Sequence, residues 1–431
     1  MNMPRSKKPA RILDGVSTPA LAASAFQAVE DTFGVIWLSQ PNGNARLQKI
    51  WRRFDHLANL ELYTLGAAIL LLREDGHDAW LKDKVRTIRK SPTSHGLVTE
   101  IIVYPTVGLG SQRLIPAPPK TPAYDFSASS SEGDIYYLSV KNHDITDEAK
   151  AFARQSAHLR KLWRERLARE RKNLALYLWS DLPMSPDDFE LALLHIKSER
   201  STVVGEPISL KPSLYLKVAS LTDPVTLAPT ETSDTVSVVA PASPREQDRF
   251  QRNLRAAADK FRPLGRSAGI WNLLFMRVHV LADIDYLRTL AEQTLSRSDA
   301  LVDGIIFHQP AYVRDSANAS LLNHAFRVVF SPGYITSRKP AIPFRFTPPV
   351  GSCSFSAATI EVTADGAHAC TLPPNTYIFQ QGDIFRAYPQ SSWNSPMSLA
   401  SPASGIREHI VLPGLTISAK NPSTSDDLLV V

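Results

Sequence analysis

What most constrains this chain is an alternation of two patterns. Apolar runs of strand length, rich in β-branched and aromatic residues, recur with stretches of helical length between them. The runs are "GDIYYLSVKNHD" (133–144), "NLALYLWSD" (173–181), "NLLFMRVHV" (272–280) and "DGIIFHQPAYV" (303–313). The helices carry start signals. Thr146 reads as an N-cap with Asp147 and Glu148 in the first turn, and Ser185 as an N-cap with Pro186 at the first helical position. Further helices are expected from about Pro244 to Phe261 and over "DIDYLRTLAEQTL". Strands alternating with helices predict an α/β fold, with a mixed sheet flanked by helices.

At 431 residues the chain is long enough for two or three domains, each burying its own core. Its 43% hydrophobic and 21% charged residues exclude wholesale disorder. The expected division is a basic tail and helix over 1–45, an α/β core over 46–200, a second α/β segment over 201–332 and an all-β module over 333–431. The longest apolar run, "LGAAILLL" (65–72), is far short of the roughly 20 residues that span a bilayer. No apolar stretch of signal-peptide type follows the basic start. Two cysteines, Cys353 and Cys370, are too few for a disulfide framework. A cytoplasmic location and no membrane partner are expected. A net charge of +6 suits a nucleic-acid partner without requiring one.

In the first half, a helical pattern runs from Leu47 to about Glu74 and stops at "EDGHD", with Gly76 just past its end. "LVTEIIVYP" (97–105) reads as the first of three strands. The others lie around Tyr124-Asp125-Phe126 and from Asp134 to Lys141. Alternate residues of a strand share a face, so Ser139, Lys141 and His143 project together, and Asp125 on the preceding hairpin strand faces them. Glu61, on the long helix, offers a further oxygen. Cleaving a phosphodiester needs a hard cation on oxygen ligands, an attacking water and positive charge for the transition state. A carboxylate pair with a nearby lysine can supply these.

This order of elements and these residues resemble the PD-(D/E)xK nuclease superfamily, the restriction-endonuclease-like fold, over roughly Leu47 to Ile196. The resemblance implies Asp125 and Glu61 as ligands of Mg²⁺ or Mn²⁺, and Lys141 as the cation that orients water or stabilises the transition state. It implies that the helix from Thr146 and the strand from Asn173 complete the core, with Gln155 as an accessory candidate. One departure stands out. The position two before the lysine, acidic in that family, is Ser139, a weak neutral ligand. Asp144, Asp134, Glu132 and Glu100 are candidates to replace the lost acid, and His143 adds a nitrogen better suited to a transition metal.

The helix after the motif is dense in positive charge. Arg154, Arg160, Lys161 and Arg164 either contact phosphate or form a solvated face partly offset by Glu165 and Glu170. No glycine run has phosphate-loop spacing. Cys353, His368 and Cys370 make only an irregular zinc set. Residues 221–243 read as a linker, and "TYIFQQGDIFRAY" as a hairpin of the C-terminal module, a surface for a protein partner. The second α/β segment reads as a degenerate copy of the first, with the strands from Leu214 and Asn272 neighbouring as those from Tyr136 and Asn173 do. The functional expectation is a metal-dependent DNA endonuclease. Its alternative is a nuclease-like binding or assembly subunit without catalysis, of the kind a bacterial defence system uses.

Overall fold

The computed structural model describes residues 19–52, 56–91, 95–109, 112–118, 123–144, 146–172, 174–198, 202–220, 235–240, 245–265, 267–279, 282, 284–296, 301–314, 319–337 and 344–346, and the strands 353–356, 358–363, 366–369, 376–381, 384–389, 397–400, 406–412 and 415–421. The basic tail and Cys370 lie outside these residues. The chain divides into two compact units. One comprises 1–120 with 343–353 and 431, the other 121–342 with 354–430.

The first unit is mainly helical. Its long helices are α1 (Pro19–Phe33), α2 (His56–Glu74), α3 (Asp78–Lys90) and α4 (His95–Thr106). Helix α1 packs closely on α2 at Gly66, where a Cβ would overlap the backbone carbonyl of Ala25. Gly76 ends α2 in the left-handed region, at φ 79°, as its place after the helix requires. Helix α4 corrects the reading of "LVTEIIVYP" as a strand. Val98, Ile101, Ile102 and Tyr104 are buried together with Thr99 and Glu100, so the segment is enclosed on all sides. Enclosure, not β propensity, decides its form.

The second unit is α/β, with two open mixed sheets flanked by helices. In the first sheet β1 (Phe126–Ser129) and β2 (Ile135–His143) form a hairpin. The segment that follows β2 leaves this sheet. Helix α5 (Asp147–Glu170), β3 (Leu174–Ser180), α6 (Pro186–Lys197), β4 (Ile208–Lys211), β5 (Leu214–Ser220) and β6 (Thr235–Val239) follow in chain order. Their strands form a separate four-stranded sheet in the order β4-β5-β3-β6, on which Phe152, Leu159, Trp163 and Leu167 of α5 and Phe189 and Leu193 of α6 pack. Ser185 caps α6 as expected. The chain then returns through α7 (Arg245–Phe261) to β7 (Ile270–Val278), parallel to β2, and through α8 (Ile284–Leu295) to β8 (Gly304–Arg314), parallel to β7. Strand β9 (Ala319–Phe330) closes antiparallel on β8.

Four expectations are corrected here. The strand from Asn173 is not the neighbour of β2; β7, more than ninety residues later, holds that place. The segments are not duplicates, since β5 pairs with β3 and β4 while β7 pairs with β2 and β8. Part of the expected linker is β6, parallel to β3. The region expected to be all-β opens instead with a short helix, Pro332–Ser337; from Phe344 on its described residues are strands, and they include the expected hairpin, Thr376–Gln381 with Ile384–Pro389. It extends the first sheet, because Thr376–Ile378 pair with Tyr312–Arg314 of β8.

Candidate functional site

Helix α7 lies over the face of β2 that carries Tyr137, Ser139, Lys141 and His143. As a crossover helix it runs back along the strand, so its start meets the end of β2 and its end meets the hairpin. Phe250, Leu254, Ala257 and Phe261 enter the core with Leu274, Met276 and Val278 of β7. Beside this apolar stripe, Glu246, Asn253 and Lys260 recur every seven residues, about two helical turns, and form a polar seam against β2.

At one end of the seam stands Asp125. Its backbone N–H donates to the Leu138 carbonyl at 2.8 Å. Its Oδ2 accepts from the Val140 N–H at 2.8 Å and from the Ser139 hydroxyl at 3.4 Å. Its Oδ1 takes the ammonium of Lys260. Asp125 and Ser139 are buried, and Lys141 is half-buried two residues along the same face. The hairpin therefore brings Asp125 and Ser139 together as their spacing implies. Lys260 was not foreseen, because nothing local ties it to a strand so far away in sequence.

Glu61 is buried in α2 of the helical unit, and Glu100 pairs with Lys84 in that same unit. Glu132 and Asp134 lie in the β1–β2 turn, where Ser130 bonds the Asp134 N–H. Among the described residues, no trio of His, Cys, Asp or Glu placed to hold a metal includes Asp125. Gln155 is half-buried on α5, the helix that packs on the second sheet and not over β2. Arg160 is buried, which removes it from any phosphate-binding face, while Arg154, Lys161 and Arg164 are exposed.

At the other end of the seam, His143 closes β2 and His279 follows β7, its N–H donating to the His143 carbonyl at 3.1 Å. The two rings stack at 5.6 Å with 9° between their planes. Each Nε2 reaches Oε1 of Glu246, at 2.6 Å from His143 and 2.8 Å from His279. All three residues are buried. Burial pushes His143 below its ordinary range, against the raising effect of Glu246. Burial pushes the Glu246 carboxyl up, but the charge of His279 and the hydrogen bonds from both imidazoles hold it well below the usual carboxylate range. Gln309 braces the turn after β7, donating to the carbonyls of His279 and Ala282 at 2.8 Å each. Of this trio only His143 was singled out from sequence. The available signal was that "YYLSVKNH" and "LLFMRVH" are both strands ending in histidine.

Comparison of the chain with protein-family models, characterised proteins and solved structures finds no match. Function therefore rests on the geometry. No helix among the described residues is long and apolar enough to cross a membrane.

Proposed function

We propose that the chain is a nuclease-like protein of the PD-(D/E)xK type that does not hydrolyse phosphodiesters and serves as a binding or assembly subunit. The observation that carries this reading is the ion pair between Asp125 and Lys260. Support for the scaffold comes from the β1–β2 hairpin, with Asp125 facing Ser139, and from the parallel crossover through α7 to β7. Support for silence comes from the ligands. Mg²⁺ binds through several oxygen ligands, commonly one or two carboxylates. Here the carboxylate of Asp125 has its oxygens engaged by a backbone N–H, a hydroxyl and an ammonium. A second cation beside Lys260 meets like charge in a buried setting. The residues present do not fit Mg²⁺, and no hydrolytic step is assigned to them. Exposed Arg154, Lys161 and Arg164 are the candidates for phosphate contact without cleavage.

The test is incubation of plasmid and linear DNA with the full chain in Mg²⁺ or Mn²⁺. Intact DNA is expected, with any binding weakening as salt rises. Metal-dependent cleavage that disappears in both Asp125→Ala and Lys141→Ala would establish the nuclease instead.

A further inference from the structure

We propose that His143, His279 and Glu246 form a binding site for a divalent transition-metal ion, separate from the Asp125 position. The three groups come from three elements: the end of β2, the residue after β7 and the first turn of α7. Their ligand atoms all lie within 4.8 Å of one another. The site sits at the carboxyl ends of two adjacent parallel strands, where open α/β sheets place their ligands.

The donor set selects the metal. Two imidazole nitrogens with one carboxylate suit Zn²⁺, Fe²⁺, Co²⁺ or Ni²⁺, whereas Mg²⁺ prefers oxygen ligands alone. A tetrahedral ion with bonds of about 2.0–2.1 Å spaces its ligand atoms about 3.3 Å apart. The present separations of 2.6 and 2.8 Å from Glu246 Oε1 are shorter. Binding therefore requires the carboxylate to swing out by roughly half an ångström or more, within the reach of a glutamate side chain in its helix's first turn. The histidines stay in place, held by the strand ladder and by Gln309.

Ligation through both Nε2 atoms needs the imidazole protons on Nδ1. Asn253, whose amide nitrogen donates to the Asn142 carbonyl at 3.2 Å, lies 3.5 Å from His143 Nδ1 and is the polar neighbour on that side of the ring. Three protein ligands leave a coordination position for water or a substrate oxygen.

The same three groups also satisfy one another as a hydrogen-bonded bridge, and the experiment separates the two arrangements. The full chain, freed of metal with a chelator, is titrated with Zn²⁺ by calorimetry and with Co²⁺ by visible absorption. One tight site per chain is expected, with Mg²⁺ failing to compete. Glu246→Gln keeps an acceptor for both imidazole N–H groups and so preserves the bridge. It and His279→Gln are each expected to weaken Co²⁺ binding at least about a hundredfold. Asp125→Asn is expected to leave Co²⁺ binding unchanged. A folded wild-type chain that takes up neither ion overturns the proposal. So does binding that is unchanged in both Glu246→Gln and His279→Gln.

Discussion

The ammonium of Lys260, in the last turn of α7, lies against Oδ1 of Asp125, at the start of the β1–β2 hairpin. This contact clamps the crossover helix to the strand pair and neutralises the buried Asp125 carboxylate that faces Ser139. Removing either partner has unequal consequences. Lys260→Met leaves Asp125 as an uncompensated buried charge and is expected to cost about 3 kcal/mol. Asp125→Asn keeps an acceptor for the Val140 N–H and leaves an ammonium that reaches water, for about 1 kcal/mol. Urea denaturation of both variants checks the order. Equal losses would show that the pair is not the clamp described.

Gly66 makes a second prediction, in the helical unit. At an unobstructed helix position, Gly→Ala stabilises by about 1 kcal/mol. Here the added methyl would overlap the backbone of Ala25. Gly66→Ala is therefore expected to destabilise, by roughly 1–3 kcal/mol. A raised melting temperature would mean that α1 does not approach α2 this closely.

Asp188 links stability to pH. It caps α6, accepting from the Ser185 N–H at 2.8 Å and the Ser185 hydroxyl at 2.9 Å, and pairs with Lys211. Burial pushes its carboxyl up, but Lys211 and the two Ser185 bonds push harder, and the net shift is downward. A pKa depressed in the folded state gives stability that is full above the unfolded value, about 3.9, and lost as pH falls through the folded one. Asp188→Asn should therefore cost about 1–2 kcal/mol at neutral pH. The gap from wild type should narrow below about pH 4. Thermal unfolding across that range measures it, and a gap independent of pH would contradict the assignment.

Local patterns carried much of the fold. The strands β2, β3, β7 and β8 and the helices α5 to α8 all announce themselves by apolar runs and capping residues. The meeting of Asp125 with Ser139 was legible because a hairpin brings near residues together. What local pattern cannot convey is which strands become neighbours. The rule that consecutive elements adjoin assigned β3 to the first sheet, and an insertion of more than a hundred residues between β2 and β7 defeated it. Lys260 and Glu246 were hidden for the same reason, since each meets β2 only after α7 has folded back over it. The segment 97–105 misled differently. Its Ile and Val content favours strand, and enclosure within the helical unit overrode that preference.

The most direct measurement is a calorimetric titration of Mg²⁺ into the wild-type chain and into Ser139→Asp/Lys260→Ala. That pair of substitutions restores the second carboxylate and removes the competing ammonium. The account predicts no Mg²⁺ site in the wild type and one in the double variant. A wild-type chain that binds Mg²⁺ and loses it in Asp125→Asn would contradict the claim that Lys260 holds the metal's position.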